Sequence, residues 1–420
     1  PHVAIDGSPF GAMRCSVAAV LSVLVVCWAA LHLCLFTAWY SFGRKLFTRL
    51  ENVHYKDIQL AIQIAAATPI KDEVPGPPEE PRLALLFMLR THLVEMDLWQ
   101  RWLQAEEEEG WSHGQPRVSL YFHLADGLDA AGLHVVSALR ALPGARQVLQ
   151  TVDTGWCELM AAEVALFQSA LSDDPHAEMF VLLPHDATPL WPLSAVLKSF
   201  FDGMAEPRSR MCPAGVRDME VPHDCAHGIE PHWARSLLLK HHQWMALNRR
   251  HALRLANPRA LSLAAGIFES SYLGEPLCSD EVLPLLALAL REEQLLQQQE
   301  PLDLSSLGLY HEAAKGLADF EEGLEDIGAH AECILYAPWP GCNAGLHVGL
   351  KRAKSPLLGG GMSSAERDAT LQSLASSGVL FARKLGRMGG NITTHLAMMR
   401  SLDTSKRPPR GPRRLVPLPR

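Results

Sequence analysis

The stretches "RLALLFMLR" (residues 82–90) and "RVSLYFHLADG" (residues 117–127) decide the fold. Each continues from an arginine into a mostly apolar run, which predicts a strand buried within a sheet. Between them, "HLVEMDLWQRWLQAEEEE" (residues 92–109) has helical spacing of apolar residues and ends in an acidic, solvated run. A strand, a helix and a second strand in this order predict the start of an α/β fold.

The same alternation continues along the chain. The sequence predicts a helix at residues 157–171, the strand "EMFVLLPHDA" (178–187) and a helix at 192–203. Strands that alternate with helices imply a mainly parallel sheet, which binds ligands at the carboxyl ends of its strands. The polar residues at two of those ends are therefore candidate site residues: His123, Asp126, His185 and Asp186.

Composition limits the classes of partner. The chain has 420 residues, 48% hydrophobic and 20% charged, with a formal net charge of -8. Because there is no general excess of lysine and arginine to neutralise phosphates, nucleic acid is not expected as a partner. The basic, proline-rich end (406–420) has the composition of a disordered, solvated segment.

A long uncharged run near the N-terminus predicts a membrane anchor. Residues 15–43 contain no charged side chain, and the run is long enough to cross a bilayer. A secretory signal peptide is the alternative, although the apolar core is long for one, and a chain that opens with proline is expected to be incomplete. Basic residues are more numerous after the run (Arg44, Lys45 and Arg49) than before it (Arg14), so the local charges favour a cytosolic domain.

These features predict a modular chain. A proline-rich break at 71–81 precedes the domain, and a helix is expected around 55–68. The predicted parts are a cytosolic stub (1–14), an anchor (15–43), a stem (44–81), a domain (82–390) and a disordered tail (391–420). Three of the nine cysteines lie in the anchor, and the other six suit disulfides in a lumenal domain without revealing their pairing. A glycosylation sequon begins at Asn391.

The common chemical motifs are absent from the sequence. It contains no Walker A motif, no GxGxxG after a strand, no GxSxG elbow and no Asp-x-Asp pair. The segment 223–233, "HDCAHGIEPHW", is rich in metal-ligand types but has no established zinc spacing. A metal-dependent hydrolase that uses this segment stays as an alternative, with a polar loop as the simpler interpretation.

An acidic pair precedes a strongly apolar helix in "SDEVLPLLALAL" (279–290). This helix leaves little polar face, so we expect it to be buried. One interpretation is a helix start, with Ser279 as the N-cap and with Asp280 and Glu281 complementing the helix dipole. The other is a carboxylate that performs chemistry, and local sequence alone favours the first.

Seven segments in order resemble the core-2/I-branching glycosyltransferases, in particular their divergent plant and algal branch. They are "LALLFMLR" with "LWQRWL", "VSLYFHLADG", "DTGWCELMAAEVALFQSALSD", "FVLLPHDATPLWPLSAVLKSF", "LLLKHHQWMALNRRHALRLA", "CSDEVLPLLA" and "LFARKLG". The resemblance covers most of residues 82–386. It implies a GT-A-like sheet and an inverting, metal-independent sugar transfer from a UDP-sugar to a glycan or glycoprotein acceptor. It also implies a type II protein of the Golgi membrane with a lumenal domain, against the local charge count.

The resemblance assigns roles to individual residues. Glu281 matches the catalytic base. Arg383 and Lys384 match the segment that stabilises the leaving diphosphate, and Lys384 is the better match. The remaining implied positions are His123 and Asp126 at the donor, and Tyr336 or Trp339 as an aromatic that stacks on the acceptor. The turn "PHDATP" departs from the family pattern, and the further arginine of animal members aligns with neither Arg352 nor Arg367 securely. A catalytically inactive lumenal binding protein is therefore the alternative function.

Overall fold

The computed structural model describes part of the chain. The described residues are 28, 32, 55–67, 70, 81–108, 117–149, 152–155, 158–202, 207–215, 239–241, 243–272, 278–296, 324–325, 327–336, 371–372, 374–376, 378–383 and 392–402. The chain divides into two units, Pro1–Tyr55 and Lys56–Arg420. In the first unit, Trp28 and His32 are helical and their rings lie 4.3 Å apart. The rest of the predicted anchor lies outside the described residues, and no helix among the described ones is long and apolar enough to cross a membrane.

Twelve strands lie within the described residues. They are β1 (Arg82–Leu89), β2 (Val118–Leu124), β3 (Ala145–Leu149), β4 (Ala177–Pro184), β5 (Thr188–Pro189), β6 (Ser209–Met211), β7 (Pro213–Gly215), β8 (Leu239–His241), β9 (Ala246–Asn248), β10 (Ala329–Ala331), β11 (Leu335–Tyr336) and β12 (Phe381–Ala382). Seven of them form the main sheet in the order β10-β6-β9-β4-β1-β2-β3. Within this sheet β9 runs antiparallel to both of its neighbours, and the other pairings are parallel. The prediction of a mainly parallel α/β sheet is therefore confirmed.

Helices flank this sheet. They are α1 (55–67), α2 (Met96–Glu108), α3 (Gly127–Ala131), α4 (Leu133–Arg140), α5 (Met160–Asp173), α6 (Leu193–Phe201), α7 (Arg249–Leu255), α8 (Pro258–Tyr272), α9 (Leu283–Ala289), α10 (Glu292–Leu296) and α11 (Ile392–Ser401). On one face Phe167 of α5 packs on Phe180 of β4, and on the other Trp99 of α2 meets Phe87 of β1. Phe180 is paired in register with Ala84, so Phe87 points to the opposite face because side chains alternate along a strand.

Helix α1 belongs to the domain rather than to a separate stem. Ile58, Ala61 and Ala65 are at most 2% exposed and join the main hydrophobic core. The helix that the sequence predicts around 55–68 is present at 55–67. These apolar side chains recur at helical intervals, so they form one stripe that packs into the core.

Ordered structure also continues past the predicted end of the domain at residue 390. Helix α11 lies where the sequence predicts a disordered tail, and within it His395 and Met399 are buried. The His395 ring hydrogen-bonds the backbone oxygen of Pro189 at 2.7 Å, which attaches α11 to the strand β5. His395 and Met399 are four positions apart and therefore share one helix face. The sequence prediction missed this helix because the adjoining segments are rich in glycine and arginine, which is typical of a disordered tail.

A disulfide joins Cys212, directly after β6, to Cys333, which follows β10. Beside it a buried ion pair connects Arg210 with Glu332 at 3.1 Å, and the Arg210 guanidinium lies over the Phe200 ring. Cys278 is also disulfide-bonded. The prediction that this domain contains disulfides is confirmed.

Candidate functional site

Ser279–Glu281 form a 3-10 turn, and α9 begins only at Leu283 with Val282 as its N-cap. The prediction that Ser279 caps the apolar helix is therefore wrong. Its hydroxyl instead donates a hydrogen bond of 3.5 Å to Oδ2 of Asp57, because burial leaves the hydroxyl no water to bind.

The two acids of this turn differ in accessibility. Asp280 is 3% exposed, whereas Glu281 is half-buried. A carboxylate that must meet a substrate needs access to solvent, so Glu281 is the better placed of the two for chemistry.

The helix behind this turn is fixed at its far end. Val282 to Leu290 are at most 1% exposed apart from Pro284 and the 2% of Ala289, so the predicted burial of this segment is confirmed. The Arg254 guanidinium donates to the backbone oxygens of Leu288 and Leu290 at 2.9 and 2.6 Å, which satisfies carbonyls that a helix end leaves unpaired. Glu281 is therefore attached to a rigid, buried element.

Asp57 of α1 accepts hydrogen bonds from the first residues of α5. The backbone N–H groups of Met160 and Ala161 each lie 3.0 Å from its carboxylate. Burial raises the pKa of Asp57 to about 6, while the two backbone hydrogen bonds lower it and the charge of Glu158 raises it. The positive end of the α5 dipole thus faces a carboxyl group that is partly protonated near pH 6.

Glu163, in the first turn of α5, is completely buried. Gln243 donates a hydrogen bond of 3.3 Å to its Oε1, and its Oε2 has no hydrogen-bond partner among the described residues. Burial is the main cause that raises the pKa of Glu163 well above its ordinary value, and the charges of Asp280, Asp57 and Glu281 add to it. We call Asp57, Glu163, Asp280 and Glu281 the carboxyl cluster.

Gln243 and its neighbour Trp244 connect the carboxyl cluster to the carboxyl edge of the sheet. The Gln243 amide nitrogen lies 3.9 Å from the sulfur of Met88, the next-to-last residue of β1. The Trp244 ring lies under the guanidinium of Arg383, 5.1 Å from the ring centroid. Gln243 thus contacts the carboxyl cluster, and the next residue, Trp244, contacts Arg383.

Arg383 reaches the edge through the pairing of two short strands. In the antiparallel pair β5–β12, Ala382 is opposite Thr188, so Arg383, which directly follows β12, comes close to Asp186. The Arg383 Nε lies 3.0 Å from Oδ1 of Asp186, and both side chains are mostly buried. Burial lowers the pKa of Arg383, while the charge of Asp186 and the hydrogen bond to it oppose this shift.

The same edge carries an exposed ion pair and a histidine. Arg90, directly after β1, contacts Asp126 at 3.1 Å, and Asp126 also donates its backbone N–H to the Arg90 oxygen. Burial lowers the pKa of His185; the charge of Asp186 opposes this shift, and the charges of Arg383, His92 and Arg90 add to it. The C-terminal ends of β1, β2 and β4 therefore carry polar groups together, as the sheet topology predicts.

The described residues cover some of the remaining sequence predictions. His123 is fully buried, which lowers its pKa to about 4, so its ring is neutral and withdrawn from the surface. Strand β11 pairs Tyr336 with Ala382, which brings the Tyr336 backbone next to the Arg383 position. Lys384 and Trp339 lie outside the described residues, as do Asn391 and the histidine-rich segment 223–233. Among the described residues, no three His, Cys, Asp or Glu side chains are arranged so that they could hold a metal ion.

Sequence reasoning missed Asp57 and Glu163, although both leave a signal. Asp57 stands four and eight positions before Ala61 and Ala65, which places an acid on the buried stripe of α1. Glu163 interrupts the apolar run "MAAEVALF" (160–167), where an acid on a core helix indicates a special environment. What could not be read is which parts of the chain these two acids would meet.

Comparisons with known proteins add little to this geometry. No family model matches the chain, and no curated protein matches it. A solved structure of a mannosyltransferase from Pyrobaculum calidifontis, in complex with GDP-Man and Mn2+, is similar with 17% sequence identity and a TM-score of 0.23. The match covers 53% of this chain and 64% of that protein, which is less than two thirds of its length. A TM-score this low supports no functional argument, so the fold class rests on the sheet itself.

Proposed function

We propose that the chain is a membrane-anchored, inverting glycosyltransferase that uses a UDP-sugar and needs no metal. N-acetylglucosamine is the default sugar, and the acceptor is a hydroxyl of a glycan or glycoprotein. The proposal starts from the ordered sequence motifs of residues 82–386. One structural observation carries it: the half-buried Glu281 stands beside three buried carboxyl groups and on a rigid element.

Glu281 is assigned the role of base. In an inverting transfer the acceptor oxygen attacks the anomeric carbon while the bond to the UDP oxygen breaks on the opposite face. The base takes the acceptor hydroxyl proton in the same step, and UDP leaves with the electron pair of the broken bond.

The departing diphosphate needs positive charge in a metal-independent reaction. Arg383 is available near the same edge, but its charge is already offset by Asp186 and its guanidinium lies over Trp244. This arrangement supports a positioning role for Arg383, with the adjacent Lys384 as the cation that meets the diphosphate. His123 is buried, so Asp126 at the exposed edge is the better donor contact of the two.

The disulfides support a lumenal position for the domain. Disulfides persist in oxidising compartments and are rare in the cytosol. The Cys212–Cys333 bond and the disulfide-bonded Cys278 therefore favour a type II protein in the Golgi over the cytosolic placement suggested by the flanking charges.

The alternative function is a catalytically inactive lumenal protein that binds a glycan or another partner on the same fold. The Arg383–Asp186 ion pair is the observation that favours it, because a cation already paired with a carboxylate stabilises a leaving diphosphate poorly.

The test compares the wild-type chain with two variants, each of which replaces one glutamate by glutamine. Wild type, Glu281→Gln and Glu269→Gln are incubated with UDP-N-acetylglucosamine, UDP-xylose or UDP-glucuronic acid plus a glycan acceptor, and UDP release is measured. We expect Glu281→Gln to lower turnover by about 10²–10⁴-fold with donor affinity kept, because glutamine accepts no proton. Glu269 lies exposed on α8 and serves as the control, so its variant should turn over normally.

Two results would decide against this function. Normal turnover of Glu281→Gln would remove Glu281 as the base. A wild-type protein that binds UDP-sugars in calorimetry, but neither hydrolyses nor transfers any of them, would favour the inactive binding protein.

A further inference from the structure

One carboxyl group joins three separate parts of the chain: its own helix and two others. Asp57 belongs to α1, accepts from the backbone of Met160 and Ala161 in α5, and accepts from Ser279 in the turn that ends with Glu281. The contact with Ser279 lies two residues before the proposed base. Asp57 itself is buried, so it is not placed to touch a substrate.

We propose that Asp57 is a positioning residue, which holds the turn Ser279–Glu281 against the first turn of α5 and thereby sets the position of Glu281. This proposal rests on the proposed function only for the role of Glu281. The junction of α1, α5 and the turn is a property of the fold and is testable without any substrate.

The electrostatic surroundings support this role. The charges with the largest effects on Asp57 and Glu163 are all carboxylates: Glu158 acts on Asp57, while Asp280, Asp57 and Glu281 act on Glu163. A group of buried acids repels itself, and the two N–H groups of α5 provide compensating partial positive charge. The N-terminus of α5 therefore allows Asp57 to stay next to the turn despite this repulsion.

The structure offers a matched control on the same pair of helices. The Gln168 side chain of α5 donates to the backbone oxygen of Ala65 in α1 at 2.9 Å. This second link lies eight residues further along both helices, which is about 12 Å along a helix axis. Gln168→Ala therefore loosens α1 from α5 at the end remote from Glu281, whereas Asp57→Asn acts beside it.

The first measurement is backbone hydrogen exchange by mass spectrometry on the complete chain. In the wild type, Glu281 donates its N–H to Cys278 and Val282 donates to Ser279. We expect peptides that cover 278–283 to exchange about tenfold faster in Asp57→Asn than in the wild type and to stay at the wild-type rate in Gln168→Ala. Ser279→Ala, which removes only the hydroxyl, should give the same local effect in a protein that folds. Unchanged exchange in both Asp57→Asn and Ser279→Ala would overturn the proposal.

The second measurement separates kcat from the donor KM in the complete chain. Misplacement of a catalytic group costs up to about 100-fold in rate, so we expect kcat to fall by this order in Asp57→Asn while the donor KM stays near the wild-type value. In Gln168→Ala both constants should stay near the wild-type values, and an equal loss of kcat in both variants would refute positioning by Asp57.

Failure of the proposed function and failure of the proposed role of Asp57 give different results. A wild-type chain without transfer activity refutes the proposed function, while the exchange comparison still decides whether Asp57 holds the turn. An active wild type whose turn exchanges at the same rate in every variant leaves the function intact and removes Asp57 from the site.

Discussion

The pKa of Asp57 predicts a specific dependence of stability on pH. Folding raises this pKa from an ordinary value of 3.8 to about 6, chiefly because the carboxyl group is buried. A carboxyl group whose pKa is raised in the folded state contributes stability that is fully present below the unfolded value. That contribution is lost as the pH rises through the folded value of about 6. Acidification should therefore stabilise the wild type relative to a variant without this group.

The magnitude follows from the two pKa values. For a single group, the linkage relation gives about 2 kcal/mol of additional unfolding free energy at about pH 4.5 compared with about pH 7.5. Asp57→Asn removes this term. Asparagine keeps one carbonyl acceptor for the two N–H groups of Met160 and Ala161, so an unpaired N–H costs about 1–3 kcal/mol, while the uncharged side chain avoids burying a charge. The difference in unfolding free energy at one pH combines these effects, whereas its change with pH reports the ionisation of Asp57 alone.

Urea unfolding without reductant, at several values between about pH 4.5 and pH 7.5, measures this change. The unfolding free energy of the wild type should rise relative to that of Asp57→Asn by about 2 kcal/mol on acidification. Glu269→Gln removes an exposed carboxylate and should run parallel to the wild type. Parallel curves for Asp57→Asn and the wild type, within about 0.5 kcal/mol, would refute the reasoning from burial.

Three further predictions concern the buried acid, the metal and the membrane. Glu163→Gln should melt at an increasing temperature relative to the wild type as the pH rises above 4.5, the ordinary pKa of glutamate, because the raised pKa of Glu163 in the folded state makes the wild type lose stability as the pH rises; a constant difference in melting temperature would contradict this. Transfer should survive EDTA, because no Asp-x-Asp pair exists in the sequence, and activity that EDTA abolishes and manganese restores would overturn the metal-independent mechanism. In intact microsomes the domain should resist added protease until detergent is present, and digestion without detergent would place it in the cytosol.

The central α/β core could be predicted from the sequence because its signals are local. β1, β2 and β4 are long apolar runs, and α2, α5 and α6 follow them with helical spacing, so the predicted bounds differ by only a few residues. The three-residue strand β9 was not predictable, because a strand this short owes its existence to pairing with β4 and β6. A three-residue segment also contains no signal that predicts its antiparallel direction.

The candidate site also has a part that the sequence predicts and a part that it does not. Glu281 is predicted from a motif whose residues are adjacent in sequence. The other members of its surroundings depend on contacts between distant segments: Asp57 and Met160 are 103 residues apart, and Arg383 meets Asp186 through the strand pair β5–β12. Hydrophobic patterns predict that such residues are buried, but they do not identify the partner on the other side of the interface.

The contact between Asp57 and Ser279 also has a consequence for the order of folding. These residues are 222 positions apart, and His395 and Pro189 are separated by 206. At roughly 5–20 residues per second, a ribosome needs on the order of 10–45 s to make the segment between Asp57 and Ser279. During that time α1 can already meet α5, through Asp57 and Ala65, whereas pairings of higher sequence separation form more slowly. The turn Ser279–Glu281 should therefore join Asp57 only after α1 and α5 have met, and a pause in translation before residue 279 should leave the carboxyl cluster incomplete.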